Sequence, residues 1–278
     1  MMTDNFLKSI ENLKPQTILN HKRQLNKYTE LFNESLDGDE SDILFNIEEK
    51  SNLNLSARLT LLKTISKYRT INELSNNKIL VFMNDINNQL NKKYKIRNKQ
   101  LKNDDTLPTY RDLIKSLSIL FKANEYQKYI VNYLIIHHNL RNLDLDLYIV
   151  SHMKDTKDKS KNYLIVRKND VVMIRNVYKT SKTYGQQKVL IKSKPFRNAV
   201  IKYIENYETD NDNNIRLLQG VENNLSYYLK KLIILGLNQS TIIKIVLNEK
   251  NSLNQASKIS KNRNTAISTL QTNYNLNV

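Results

Sequence analysis

The chain has 278 residues, and its 44 Lys and Arg side chains against 27 Asp and Glu give a formal net charge of +17. This excess of positive charge indicates a polyanionic partner such as nucleic acid, although the amino-acid bias of an AT-rich genome would also raise the lysine count. There is no cysteine, which excludes disulfides and thiolate metal sites. The N-terminus has no continuous apolar run, and nowhere do about 18 apolar residues follow one another, so we expect neither a signal peptide nor contact with a membrane.

Residues 1–102 are predicted to form a small bundle of helices. The chain has only 4 Gly and 3 Pro, which favours helices joined by loops rich in Asn and Asp. Pro15 stands near the start of the first clear helix, and Ser56 can cap the second. The last helix ends in a basic run that includes Lys92, Lys93, Lys95, Arg97 and Lys99. Such a run more often forms a solvated face, but here we expect it to contact DNA, because a linker would cross the duplex backbone at this point.

A second domain is predicted at 109–278, after a linker at 103–108. Short β-branched runs at 163–167, 171–177 and 187–191 predict a small antiparallel sheet. The segments 196–207, 224–235, 240–247 and 254–259 return to helical spacing. The predicted fold class is therefore mainly α with a small antiparallel β-sheet.

Three polar residues of this second domain have the chemistry needed to break a phosphodiester. Arg141 interrupts the end of an apolar helix, where a guanidinium needs an anion or a carboxylate partner. Asp144 can hold it from behind, so an ordinary ion pair is the competing interpretation. Lys179 lies between two predicted strands, where a hairpin lysine can donate a proton to a leaving oxygen, although lysines are common in exposed turns. Tyr274 lies near the end of the chain, and no obvious core explains it.

These residues, in this order, resemble the tyrosine recombinases of the phage-integrase superfamily. The run 139–144 (Asn-Leu-Arg-Asn-Leu-Asp) resembles the family's first arginine box, with Asp144 at the acidic position. Tyr178-Lys179-Thr180 resembles the β-hairpin lysine, with Lys182 as the fallback, and Thr272-Asn273-Tyr274 resembles the C-terminal nucleophile. The resemblance covers nearly the whole chain. It implies an N-terminal helical core-binding bundle followed by an α+β catalytic domain.

The chain departs from the family pattern at two boxes. The family's second box is His-x-x-Arg, and the best alignment here is Thr241-Ile242-Ile243-Lys244. Lys244 keeps the positive charge but loses the bidentate fork of arginine. The family's His or Trp before the nucleophile falls near Arg263-Asn264-Thr265, which makes Arg263 a further candidate.

The resemblance implies a site-specific recombinase or integrase acting on double-stranded DNA. Tyr274 would attack the scissile phosphate and form a 3′-phosphotyrosyl link. Arg141, Lys244 and Arg263 would clamp the phosphate oxygens, and Lys179 would protonate the departing 5′ oxygen. ATP is not expected to be required, because the bond energy stays in the phosphotyrosine, and neither a metal nor another cofactor is expected. Several protomers would act together as a tetramer on DNA. The protein would act inside the cell, in the cytoplasm or nucleoid, or in a host cell if the chain is viral.

Other interpretations stay open. A catalytically decayed relative would keep the basic clamp and only bind DNA, and a type IB topoisomerase would use the same nucleophile as a monomer. An unrelated RNA- or DNA-binding protein would share only the charge. A metal site built from His137, His138, Asp146 and His152 is disfavoured, because the two adjacent histidines would point to different faces of one helix.

Overall fold

The computed structural model describes residues 4–13, 15–103, 106–206, 215–218, 225–249, 253–263 and 265–274. Two units divide the chain, Met1–Ile96 and Arg97–Val278. Both are mainly helical, and one small sheet lies in the second. None of the helices in these ranges is long and apolar enough to cross a bilayer. The predicted domains 1–102 and 109–278 stay a prediction.

The first unit is built from helices. These are α1 (Asp4–Ile10), α2 (Pro15–Phe32), α3 (Glu40–Phe45), α4 (Leu55–Ile71) and most of α5 (Asn77–Lys102), with a π-helical turn at Asn46–Lys50. Each helix contributes to one apolar core, with Phe6, Leu25, Ile43, Leu62 and Ile79 among its buried members. Asn54, rather than the predicted Ser56, caps α4, because its side chain accepts a hydrogen bond from the Ala57 amide at 3.0 Å.

The second unit combines helices with five short strands. Its described helices are α6 (Tyr110–Lys122), α7 (Tyr126–His138), α8 (Ser181–Tyr184), α9 (Lys194–Glu205), α10 (Leu225–Leu232), α11 (Gln239–Glu249), α12 (Leu253–Arg263) and α13 (Ile267–Tyr274). The strands are β1 (Leu147–Val150), β2 (Asn162–Val166), β3 (Val171–Arg175), β4 (Gln187–Ile191) and β5 (Ile215–Arg216). Turns of 3-10 helix lie at Asn142–Leu145, Met153–Asp155 and Ile234–Gly236.

The sheet is mixed, which corrects the predicted antiparallel sheet. Its strand order is β4-β3-β2-β1-β5. Of the three predicted strands, β3 pairs with both β2 and β4, and both pairings are antiparallel as expected. The strand β1 was not predicted, and it pairs with β2 in parallel, with Leu147 opposite Asn162. The connection 151–161 carries the chain back to the starting end of β1, so both strands run in the same direction.

The helix α7 is central to the second unit. It packs against α6, α9 and α11, and its apolar side chains share one core with one face of the sheet. Buried members of this core include Ile130, Leu134, Leu147, Leu164 and Met173. The helix ends at His138 and is capped by Asn139, whose φ of 55° places it in the left-handed region that Asn tolerates. This turn directs the chain into the segment that carries Arg141.

Candidate active site

Arg141 lies in the short segment between α7 and the 3-10 turn Asn142–Leu145, and its position is set by Asp144. The backbone N–H of Arg141 donates to Asp144 Oδ2 at 2.9 Å. The side chain of Arg141 is half-buried, and its Nη2 donates to the hydroxyl of Thr265. A guanidinium has five N–H donors, so this contact leaves it with further capacity to bind an anion.

Asp144 is buried, and its carboxylate is paired with an arginine that the sequence did not indicate. Arg175 Nη1 donates to Asp144 Oδ2 at 3.0 Å, and both side chains are 2% exposed. Burial raises the pKa of Asp144, while the positive charges of Arg175, Arg141 and Arg263 act in the opposite direction. Arg175 is the last residue of the buried strand β3, and a charged residue at the end of an apolar run is the one signal in the sequence that could have identified it.

Arg263 is the last residue of α12 and lies beside the candidate nucleophile. It is 6% exposed, its Nη1 donates to the backbone oxygen of Asn139 at 3.2 Å, and its guanidinium carbon lies 5.6 Å from the centroid of the Tyr274 ring. Burial lowers the pKa of Arg263, and the neighbouring Tyr274 opposes this shift. Tyr274 is half-buried at the end of α13. The Nδ2 of Asn248 donates to its backbone oxygen at 3.1 Å.

These side chains form a site with an excess of positive charge. We define the arginine cluster as Arg141, Arg175 and Arg263, which all act electrostatically on Asp144. The cluster has three guanidinium groups and one carboxylate, so it carries two excess positive charges. Among the described salt bridges, none pairs Arg141 or Arg263 with an acidic side chain. Uncompensated charge is costly in a partly buried site. The cluster is therefore suited to receive an anion beside a tyrosine hydroxyl.

Lys179 and Lys182 lie in the connection between β3 and β4, and both are exposed. The base of this connection is fixed by the buried Tyr178, whose hydroxyl donates to the backbone oxygen of Gly185 at 2.7 Å. The ring of Tyr178 also lies 4.9 Å from the guanidinium carbon of Arg175. The two lysines thus extend from a segment attached to the cluster, although no described contact joins either of them to Arg141 or Tyr274.

Lys244 is not brought to the cluster in the described part of the chain. It lies on α11, is 8% exposed, and its Nζ donates to Asn98 Oδ1 at 2.7 Å. Burial, followed by the charge of Arg97, lowers the pKa of Lys244. Its link to the nucleophile is indirect: Asn248 Nδ2 donates to the backbone oxygens of both Lys244 and Tyr274.

The remaining candidates have clear positions. The side chains of the basic run are all exposed near the end of α5: Lys92, Lys93, Lys95, Arg97 and Lys99. Of the four candidate metal ligands, Asp146 accepts hydrogen bonds from Arg216 at 2.8 and 3.0 Å. Among the described residues, no group of three His, Cys, Asp or Glu side chains is arranged to hold a metal ion.

Comparisons with known proteins add little to this site. No protein-family model matches the chain, and no curated protein matches it. Among solved structures, the chain is similar to the crystal structure of XerA recombinase, with 12% sequence identity, a TM-score of 0.37, and coverage of 97% of this chain and 91% of that chain. A likeness this distant does not establish a shared fold, so the function has to be inferred from the site itself.

Proposed function

We propose that the protein is a DNA strand transferase of the tyrosine-recombinase type, acting in site-specific recombination or integration. The observation that supports this proposal is the arginine cluster, in which three guanidinium groups act electrostatically on one buried carboxylate and Arg263 lies beside the Tyr274 ring. A phosphodiester supplies the missing negative charge, and tyrosine is a known type of protein nucleophile. The net charge of +17 agrees with a DNA partner.

In the proposed reaction, the Tyr274 phenolate oxygen attacks the scissile phosphorus. A bond forms between these two atoms, and the bond from phosphorus to the 5′ oxygen breaks. The products are a 3′-phosphotyrosyl link and a free 5′ hydroxyl. The 5′ hydroxyl of a partner strand then attacks the same phosphorus and releases the tyrosine. Each step exchanges one phosphate ester for another, so no external energy source is required.

The arginines have different parts in this proposal. Arg141 is half-buried and keeps donors beyond its bond to Thr265, so we assign it to the non-bridging oxygens of the phosphate. Arg263 supplies positive charge next to the phenol, where negative charge is shared between the attacking oxygen and the phosphate during the reaction. Asp144 positions Arg141 by accepting a hydrogen bond from the backbone N–H of Arg141.

The roles of the lysines are assigned from their exposure and their charge. Lys179 would protonate the departing 5′ oxygen, with Lys182 as the alternative, because both lie exposed on the β3–β4 connection. Lys244 would bind the phosphate only after the hydrogen bond from its ammonium group to Asn98 is broken.

The proposed substrate is double-stranded DNA held by several copies of the protein. The exposed basic end of α5 would contact the DNA phosphate backbone. Recombination cuts four strands in two duplexes, and each protomer offers one Tyr274. We therefore propose a tetramer on DNA.

The test is a covalent trap. The full chain is incubated with a pool of nicked duplexes that carry a randomised sequence, so that a cleaved strand loses its short end and cannot be rejoined. We expect a protein–DNA adduct, mapped by mass spectrometry to the peptide 267–274. Tyr274→Phe abolishes this adduct, and Tyr227→Phe, at an exposed tyrosine of α10, leaves it unchanged. An adduct that persists in Tyr274→Phe would refute the assigned nucleophile.

A DNA-binding relative that has lost catalysis is the second candidate. It is favoured by one observation, which is that Lys244, at the place of the family's second arginine, contacts Asn98 rather than the arginine cluster. This candidate predicts duplex binding by the wild type without any adduct on the same pool.

A further inference from the structure

Arg175 joins four separate segments of the second unit. Its Nη1 donates to Asp144 at 3.0 Å, and its Nη2 donates to the backbone oxygen of Asn262 at 2.9 Å and to the side-chain oxygen of Gln187. Its guanidinium carbon lies 4.9 Å from the centroid of the Tyr178 ring. These partners belong to the 3-10 turn after Arg141, the end of α12, the start of β4 and the β3–β4 connection.

Each of these partners adjoins a candidate site residue. Asp144 accepts the backbone N–H of Arg141, Asn262 immediately precedes Arg263, and Tyr178 immediately precedes Lys179. Arg175 itself is 2% exposed, and both of its terminal nitrogens already donate to the protein. It is therefore placed to fix the backbone around the site without contacting a substrate.

We propose that Arg175 is a positioning residue of the strand-transfer site, which sets the place of Arg141 through Asp144 and does not touch the scissile phosphate. This inference rests on the proposed function. The planar fork of arginine is essential to it, because one guanidinium reaches Asp144, Gln187 and Asn262 from a single position. A lysine at this position would keep the charge and lose two of these three contacts.

Removing Arg175 should change the pH dependence of cleavage, in addition to any loss of stability. The charged groups that face Asp144 are Arg175 from β3, Arg141 from the preceding segment and Arg263 from α12, with the Tyr178 phenol close by. Without Arg175 the carboxyl loses its strongest source of positive charge, so its pKa rises further. A protonated carboxyl holds the Arg141 N–H less firmly. Cleavage should then increase with pH in a range where the wild type is already at its plateau.

The experiment compares Arg175→Lys and Arg175→Met with Arg216→Met, which breaks a partly exposed arginine–aspartate pair elsewhere in the same sheet. The readouts are the rate of Tyr274 adduct formation against pH and the affinity for an intact duplex. We expect Arg175→Met to lower the rate about 100-fold and Arg175→Lys about tenfold, with duplex affinity within about threefold of the wild type. Arg216→Met should keep the wild-type rate and pH profile.

Adding Asp144→Asn to Arg175→Met should remove the new pH dependence, because the asparagine does not titrate. A wild-type rate and pH profile in Arg175→Met would overturn the inference. So would a loss of duplex affinity as large as the loss of rate, which would make Arg175 a DNA contact. If neither Arg175→Lys nor Arg175→Met folds, Arg175 is a stability residue and the inference is also overturned.

A second readout separates this inference from the proposed function. If the wild type forms no adduct with any duplex, the proposed function fails, but the backbone N–H resonance of Arg141 in ¹⁵N-labelled protein still reports on Asp144, because this N–H donates to the Asp144 carboxylate. The inference predicts that this resonance moves with pH in Arg175→Met, and not in Arg216→Met. A resonance that is equally insensitive to pH in both variants contradicts it.

Discussion

His138 shows how strongly the surroundings of one residue can differ from water. It is the last residue of α7 and lines a cavity of about 210 Å³ together with Arg175 and Lys261. Burial, and then the positive charges of His137, Lys258 and Arg175, lower its pKa to about 4. The ring is therefore neutral at physiological pH, which is the form that folding favours.

A first prediction concerns the stability of the protein in acid. The folded-state pKa of His138 lies below its ordinary value of about 6.5, so its contribution to stability is present above pH 6.5 and is lost as the pH falls towards 4. Relative to His138→Gln, the free energy of unfolding of the wild type should fall by about 3 kcal/mol between pH 7 and pH 4. Urea unfolding followed by circular dichroism measures this difference. His152→Gln, at an exposed histidine, should change nothing, and parallel pH curves for the wild type and His138→Gln would contradict the prediction.

A second prediction separates catalysis from binding at Arg141. Under the proposed function, Arg141→Ala should lower adduct formation at least about 100-fold, because Arg141 would contact charge that develops in the transition state. Duplex affinity should change by less than about threefold, since many other phosphate contacts remain. Gel shifts and the covalent trap measure the two quantities. Arg111→Ala, at an exposed arginine of α6, is the matched control, and a large loss of affinity in Arg141→Ala would make Arg141 a binding or structural residue.

The site could be predicted from the sequence where its members are neighbours in the chain. Arg141 and Asp144 belong to one short turn, so a contact between them was expected, but the backbone N–H of Arg141 makes it rather than the guanidinium. Arg175 was missed, because its contact with Asp144 depends on where β3 lies relative to that turn. The direction of Lys244 could not be predicted either, since α11 is buried all along 242–247 and no polar face indicates where its lysine points.

At the scale of elements, a single side chain joins α7 to the end of α10. Asn132 is fully buried. Its Nδ2 donates to the backbone oxygen of Leu232 at 2.8 Å, and its Oδ1 accepts from the backbone N–H of Ile234 at 3.1 Å. These two backbone groups belong to the point where α10 ends and a 3-10 turn begins, and helix ends need such partners.

The third prediction is that Asn132→Leu costs about 2–4 kcal/mol of the free energy of unfolding, although the side chains are similar in size. The cost arises because two backbone groups lose their buried hydrogen-bond partners. Urea unfolding at neutral pH measures it. Ser118→Ala, at an exposed position of α6, should stay within about 0.5 kcal/mol, and a similarly small effect of Asn132→Leu would show that solvent replaces the lost partners.

The elements themselves were predicted best where the periodic pattern is long. The predicted helix at 196–207 corresponds to α9 (Lys194–Glu205), and the three predicted strands are β2, β3 and β4. The strands β1 and β5 are four and two residues long, too short for periodicity to identify them. The parallel pairing of β1 depends on the path of the connection 151–161, which no local pattern encodes.

At the scale of the whole molecule, the basic side chains differ in whether an acidic side chain already pairs with them. Several described lysines already pair with a glutamate, as in Lys50–Glu34, Lys128–Glu125 and Lys202–Glu205. The exposed basic residues near the end of α5 have no such pair among the described salt bridges. If the +17 charge serves DNA binding, these residues should contribute more to it than the paired lysines do.

The fourth prediction is a change in the salt dependence of duplex binding. Replacing Lys92, Lys93 and Lys95 together by Gln should reduce the slope of log K against log salt concentration by about 2–3, as expected for three lost phosphate contacts. The same replacement of Lys50, Lys128 and Lys202 should reduce it by less than about 1. Fluorescence anisotropy at several salt concentrations gives both slopes. Equal slopes for the two triple variants would support a compositional origin of the lysines.

The partners that orient the arginine cluster are nearly all uncharged. Arg141 is held by a hydroxyl, Arg263 by the peptide oxygen of Asn139, and Arg175 by an amide oxygen and another peptide oxygen as well as by Asp144. Hydroxyl, amide and peptide oxygens can orient a guanidinium group by hydrogen bonds as a carboxylate can, but they do not neutralise its charge. The guanidinium groups are thus held in place without being neutralised, and under the proposed function their charge stays available to a phosphate. A carboxylate introduced at one of these anchors would neutralise part of that charge.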